Sequence, residues 1–405
     1  MSKQTIGMIV PIAVLFVLWF LPTPQGLSLE GWHFLAIFLA VIIGLVIEPV
    51  PAALVGLVGI SVVALLGLAG KTPAANVKWA LSGFSNSTIW LIFAAFMFAM
   101  GYQKTGLGKR ISLVMIKYMG KSSLGLGYAV AFADLVLSPF MPSNTARGGG
   151  TIYPIAINIP IIFGSTPEHE PRKMGAYITW IAMTATCVTS SMFLTALAPN
   201  LLAIDLIAKG ANITIEWGAW AKIMVPLMLP LFLVTPLLVY WIYPPTQKTS
   251  PEAPAWAAEE LKKMGTISLK EILMASFAGL ALILWIFGKE FKIDATIAAV
   301  SIVAAMVLTR VITWDDVIGN KPAWNIFIWF ATLVALASGL NDVGVLKWIG
   351  KGTEVYLSGL TPTMLMISMI VFFFMLHYFF ASLTAHTTAL LPIFIVIAAK
   401  LIAPE

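Results

Sequence analysis

Uninterrupted apolar runs of 17 to 20 residues recur along this chain, and nothing else in it limits the fold as strongly. About 20 apolar residues in a helix cover the roughly 30 Å of a bilayer's hydrocarbon. Inside lipid every backbone N–H and C=O must be bonded within the protein, so only helices and closed barrels cross. The chain is 60% hydrophobic and 10% charged, which no soluble fold of 405 residues needs. It therefore reads as an all-α polytopic membrane protein. The first run, Ile6 to Leu21, is followed by Pro22-Thr-Pro-Gln, a poor cleavage site, so it reads as a first span and not as a signal peptide. The single Cys187 excludes a disulfide framework within the chain, and no Cys/His cluster has metal spacing. A net charge of +6 is ordinary for a polytopic protein and is no nucleic-acid signal.

Spans are expected at about 6–21, 32–48, 51–70 and 87–103. Next comes "KTGLGKRISLVMIKYMG", whose apolar residues recur at helical spacing among lysines and an arginine, the pattern of a helix lying in the interface. Apolar arms at 122–140 and 146–163 flank the polar stretch "FMPSNTARGGGTIYP". A run at 174–207, interrupted by "TSSMFLTALAPN", and a span at 219–243 follow. Beyond a polar linker come spans at 270–288, 291–310 and 324–340, a shorter Lys-bearing segment at 341–352, and arms at 361–380 and 385–403 around "FFASLTAHTTALLP".

The order of parts repeats. "WLIF" at Trp90 answers "WNIF" at Trp324, Gly106 to Ser143 is 37 residues and Gly344 to Ser382 is 38, and Ser-Asn-Thr-Ala-Arg (143–147) faces Ser-Leu-Thr-Ala-His (382–386). With the N-terminus cytoplasmic, fourteen of the 24 Lys and Arg residues fall inside and nine outside, Arg147 belonging to neither set, so the positive-inside rule favours that orientation. Five crossings then separate 32–48 from 270–288, and an odd number inverts the copy. The expectation is an inverted-repeat transporter, arranged as a first span and N-terminus (1–31), a first repeat (32–243, hairpin 122–163), a cytoplasmic linker (244–269) and a second repeat (270–405, hairpin 361–403). Counterparts of 174–243 are absent from the second repeat, which suggests a truncated sequence.

Each polar stretch breaks a helical pair near membrane depth, where freed backbone is tolerated only in protein or beside a water-filled cavity. Both read as tips of re-entrant hairpins, one entering from each side, which would meet in a polar pocket. Ser, Thr and Asn cap helices, and uncapped N–H groups attract anions. The candidate ligand-binding residues are Ser143, Asn144, Thr145 and Arg147 at the first tip and Ser382, Thr384 and His386 at the second. An intramembrane arginine costs at least ~2.5–3.5 kcal/mol, so it normally marks a function. Arg147 is either the counter-charge of an anionic carboxylate substrate or one half of a pair with Asp134 that ties the arms together. His386 is either a pH-dependent donor or a buried neutral ring bonded to backbone. In the third interruption single hydroxyls back-bond to carbonyls one turn earlier. As a unit, with Pro199 breaking the ladder and Asn200 offering a capping amide, it reads as an unwound span that adds Thr195, Pro199 and Asn200 to the pocket.

"MPSNTARGGGTIYPI" and "FFASLTAHTTALLP" resemble the paired tip motifs of the divalent anion:sodium symporter (DASS) family, with its bacterial citrate/succinate-type exchangers and plastid 2-oxoglutarate/malate translocators most similar in pattern. The resemblance implies an elevator-type homodimer that moves di- and tricarboxylates through the lipid bilayer. In symporter members the tip binds carboxylate and sodium, which would make Ser143 and Asn144 a sodium site. Leu383, however, stands where those members have Asn. Arg147 and His386 would then do electrostatically what sodium does elsewhere, giving sodium-independent antiport with no cofactor. Sodium-coupled symport is the alternative. A cation/proton antiporter would want carboxylates at the tips, a channel would need no counter-substrate, and an enzyme built on Ser143 and His386 would lack an acid to orient the histidine. Without an Arg/Ser-rich leader, a bacterial inner membrane is expected.

Overall fold

Seven of the described helices begin where a hydroxyl or carboxylate closes their first turn. Ser28, Thr72, Ser122, Ser268 and Thr361 each accept the backbone N–H three residues on, and Asp294 and Thr313 do the same for their helices. Such caps satisfy donors that hydrocarbon cannot. The computed structural model describes residues 3–357, 359–380 and 382–401, so Met1, Ser2 and the last residues of the expected second repeat, 402–405, lie outside it. Among the described residues no strand forms.

In chain order the helices are α1 (Lys3–Phe20), α2 (Leu29–Ile47), α3 (Ala52–Leu65), α4 (Pro73–Ala80), α5 (Ser87–Thr105), α6 (Leu107–Met119) and α7 (Ser123–Leu137). After the first polar stretch come α8 (Tyr153–Ala156), α9 (Asn158–Ile162), α10 (Gly175–Met192), α11 (Ala198–Ala211) and α12 (Trp217–Ile242). Then follow α13 (Glu252–Met264), α14 (Leu269–Ile286), α15 (Gly288–Phe291), α16 (Ala295–Leu308), α17 (Trp314–Gly319) and α18 (Lys321–Asp342). The chain ends with α19 (Val345–Leu357), α20 (Pro362–Leu376) and α21 (Leu383–Leu401). Among the described residues, six helical segments are long and apolar enough to cross a membrane, among them α2, α12, α14 and α18. The sequence reading named no helix at α4, α13 or α17. The polar linker folds into α13, because its alanines and Leu261 recur at helical spacing between charged residues.

Two compact units form. One holds 1–90, 201–215 and 321–405; the other holds 91–200 and 216–320. The units do not follow the halves of the sequence, and α5 and α11 each pass from one to the other.

In the first unit α1 lies on α2, where Trp19 stacks on His33 at 3.7 Å and the Trp32 indole donates to the Leu18 carbonyl. The core joins Phe34, Phe38 and Leu45 of α2 to Leu333, Leu336 and Leu340 of α18, with Ala385 and Ala389 of α21. Small residues let α18 come close: a Cβ on Gly83 would sit 1.8 Å from the Ala331 carbonyl oxygen.

In the second unit α7, α10 and α12 pack together. Three prolines interrupt α12, and tyrosines from its neighbours bond to its carbonyls, Tyr128 to Leu233 and Tyr177 to Pro236. The basic helix α6 packs on α13, and Arg110 forks onto the Glu271 carboxylate at 2.5 and 3.3 Å while that residue also caps α14.

Gly83→Ala should prevent folding or lower the thermal midpoint in detergent by several degrees, because backbone stands where the methyl would go. Gly279→Ala, with nothing within 4 Å of the added carbon, should leave the midpoint unchanged. Equal midpoints for the two variants would contradict the close approach of α18.

Candidate functional site

The first polar stretch is built by local backbone chemistry. A 3-10 turn, Ser138–Phe140, ends α7, and Met141 turns extended. Ser143 then accepts the Ala146 N–H at 3.3 Å, and the Arg147 N–H bonds back to the Ser143 carbonyl at 2.9 Å. Residues Thr145–Ile152 wind as a π-helix, a wide turn that Gly148, Gly149 and Gly150 permit. The Thr151 hydroxyl reaches the carbonyl five residues earlier, Ala146, matching that wider register.

Arg147 sits at the centre and is fully buried. Its Nε donates to Asp134 at 3.1 Å. Nη1 donates to the carbonyls of Met141 (2.8 Å) and Ala196 (2.9 Å). Nη2 reaches Asn144 Oδ1, the Thr186 carbonyl, Thr189 Oγ1 and Ser190 Oγ at 3.2 to 3.4 Å. The Asp134 carboxylate, equally buried, also accepts the hydroxyls of Thr186 (2.7 Å) and Thr189. Of the two readings of Arg147, the structure holds the Asp134 pair. The guanidinium spends its donors on protein and presents none to a cavity.

The third interruption is an unwound segment between α10 and α11. Pro199 stands in the first turn of α11, where its missing N–H costs nothing. The Asn200 amide donates to the Ser190 and Phe193 carbonyls that α10 leaves open, at 2.8 and 3.4 Å. Thr195 was expected to face a ligand. Instead it is fully buried, donating to the Pro139 carbonyl at 2.5 Å and accepting the Trp217 indole N–H at 3.0 Å. The Ala198 N–H closes the segment onto the Pro142 carbonyl. These residues brace the first polar stretch.

A cavity of about 320 Å³ opens beside that stretch, lined by Asn144, Thr145, Gly148 and Gly149 and, from α10, by Thr179, Met183, Thr186 and Cys187, with Tyr153 beside them. Thr145 is exposed to it, and a side chain on Gly149 would meet nothing within 4 Å. Asn144 Oδ1 accepts Arg147 Nη2 and shares the Ser190 hydroxyl, at 2.6 Å, with the Thr186 carbonyl. That fixes which way the amide faces, and leaves its NH2 for whatever enters. Sequence reasoning picked out Asn144 and Thr145 and missed the α10 wall, whose only signal was the spacing of Thr179, Met183 and Thr186 along one helical face.

The second polar stretch repeats the first locally. Ser382 Oγ accepts the Ala385 N–H at 3.4 Å and its carbonyl accepts the His386 N–H at 3.0 Å, the same two bonds that Ser143 makes. Thr384 and His386 are buried. His386 Nε2 lies 3.0 Å from the Phe373 carbonyl, so that nitrogen carries the proton, and the ring packs edge-on to His377 and against Phe373. Of its two readings, the backbone-bonded ring is the one present.

Arg147→Ala would strand a buried carboxylate at Asp134, a change that costs about 3–5 kcal/mol for buried pairs. The expected outcome is lost folded yield or a lowered thermal midpoint, partly restored when Asp134→Leu is combined with Arg147→Met. An Arg147→Ala protein as stable as the parent would contradict the strut.

A family model described as "Sodium:sulfate symporter transmembrane region" matches residues 2–405. The L-tartrate/succinate antiporter of Escherichia coli (strain K12) is 49% identical over 408 residues, covering 98% of this chain and 83% of that protein. The L-tartrate/succinate antiporter of Shigella sonnei (strain Ss046) is 48% identical over the same shares. A match along the whole length, with half the residues identical to such relatives, extends the likeness far beyond the tip motifs: the chain belongs to the sodium:sulfate symporter family, the DASS family.

Proposed function

We propose that this chain is a secondary transporter that exchanges one dicarboxylate for another without sodium. The observation that carries the reading is the orientation of the Asn144 amide. Its oxygen is held by Ser190 and Arg147, so it offers donors to the cavity and no acceptor. Donors suit a carboxylate; a hard cation such as sodium needs oxygen lone pairs. The Thr145 hydroxyl adds a third donor, and Gly149 leaves room for a ligand against the backbone. Arg147 is a positioning residue in this scheme. Its charge is built in and cannot dissociate. The relatives named L-tartrate/succinate antiporters support exchange and suggest C4 dicarboxylates.

The twin caps at Ser143 and Ser382 support an inverted repeat, with Ser382, Thr384 and His386 as the substrate-binding residues of the second tip. A cytoplasmic N-terminus rests on the Lys and Arg count. The elevator motion, the homodimer and the bacterial inner membrane rest on the family resemblance. Sodium-coupled symport is the second reading, and the family's own description favours it.

In proteoliposomes, internal succinate should accelerate uptake of labelled succinate or tartrate, equally with sodium or with choline outside. Strict sodium dependence would hand the case to symport, and uptake indifferent to internal substrate would point to a channel. Gly149→Leu should keep the parent's thermal midpoint, because the side chain enters open space, yet suppress exchange by filling the cavity. Unchanged exchange in a folded Gly149→Leu protein would place the substrate elsewhere.

A further inference from the structure

A second cavity, of about 540 Å³, lies beside the first, and Tyr153, Thr179 and Met183 line both. Sites for small ligands begin at about 300 Å³, so the tip cavity alone is room enough for a four-carbon diacid. The second volume is surplus to holding it.

The surplus volume runs along one face of α10. Ala176, Thr179, Met183 and Thr186 are spaced three, four and three residues apart, which puts them in one line on a helix. Ile157 of the segment between α8 and α9 faces this line, and Thr166 and Pro171 stand at the far end. That far end is fixed. Ser165 is buried, accepts the Met174 and Gly175 N–H groups at 3.3 and 3.0 Å, and donates to the Glu170 carbonyl at 2.8 Å, so it ties the 165–175 loop to the start of α10. The loop lies on the side that the Lys and Arg distribution assigns to the cytoplasm.

Most hydroxyls of α10 are taken up by protein. Thr184 bonds the Trp180 carbonyl, Thr186 and Thr189 bond Asp134, and Ser190 bonds Asn144. Among the described residues, the hydroxyls of Thr179 and Tyr153 have no protein partner, and both line the groove. Hydrocarbon leaves a hydroxyl unsatisfied at a cost, whereas water or a carboxylate does not. Beside them Ile157, Ala176 and Met183 give apolar wall. Two hydroxyls between apolar walls bind an anion weakly, and a passage needs weak sites so that its passenger leaves.

We infer that this groove is the cytoplasmic-side passage to the tip cavity, and that Tyr153 and Thr179 are its way-station for the carboxylate. The inference rests on the proposed dicarboxylate exchange. Cys187, the only cysteine in the chain, lines the inner end and reports on it without mutation. The reagent is an anionic alkyl methanethiosulfonate: the thiolate attacks its sulfenyl sulfur, a mixed disulfide forms and methanesulfinate leaves. In inside-out vesicles, intact mass should show one adduct for the parent and two for Thr179→Cys, with both reactions slowed by succinate. Thr179→Trp should slow exchange several-fold while Thr179→Ser retains it. A Thr179→Cys thiol reached only by membrane-permeant N-ethylmaleimide would mean a lipid-filled groove and overturn the passage. So would no reaction with either reagent, labelling indifferent to succinate, or a Thr179→Trp protein that exchanges at the parent's rate. If the parent itself exchanges nothing, the proposed function fails, and the labelling still reads whether the groove holds water.

Discussion

A guanidinium buried among membrane helices has to be answered by protein, and the answer organises the whole second unit. Arg147 gathers a carboxylate from α7, carbonyls from Met141 and Ala196, and side chains from α10. Each partner belongs to a segment whose backbone is irregular or about to become so. The pair is neutral as a unit, so it can be buried where a lone charge cannot. What it contributes to a ligand is indirect: it holds the Asn144 oxygen and thereby turns the amide's donors outward.

Breaking a helix inside a membrane frees N–H and C=O groups, and this chain closes them with side chains. Ser143 and Ser382 cap one way, and Asn200 gathers the carbonyls at the end of α10. Thr195 ties the Pro139 carbonyl to Trp217. Three glycines follow one another in the π-helical turn, and only the middle one faces open space. Irregular backbone is therefore confined to where it braces or lines a cavity, as an apolar solvent requires.

The charged residues outside the spans follow a different logic. Lys104 pairs with Asp316, Lys109 with Glu260 and Arg110 with Glu271. The Asp316 carboxyl is pulled down to about 2 by Lys104 and then by the Thr313 cap. These pairs fasten the end of α5 and α6, which lead to the first polar stretch, to α13, α14 and α17, through residues that all belong to one unit. The basic residues of α6 looked like interface anchors in the sequence, and two of them have acidic partners on protein.

Apolar run length announced the helices, because bilayer thickness and backbone hydrogen bonding leave few alternatives. Hydroxyl residues at Ser143 and Ser382 announced the caps, because capping is local and needs only three or four neighbours. Element order and the repeated landmarks were equally local. The roles of Arg147, Thr195 and His386 were not legible. Each depends on what stands within about 3 Å in space, from residues as far as 49 positions away in the case of Arg147. Nor did sequence reveal the α10 wall of the cavity, since a threonine on a helix reads alike whether it bonds inward, as Thr186 does, or faces a groove, as Thr179 does. By itself the sequence determined where backbone would be helical and where it would break. Only the tertiary structure decided which polar groups were consumed in closing those breaks and which were left for a ligand, because a hydrogen bond made inside the protein is a donor or acceptor withdrawn from the site.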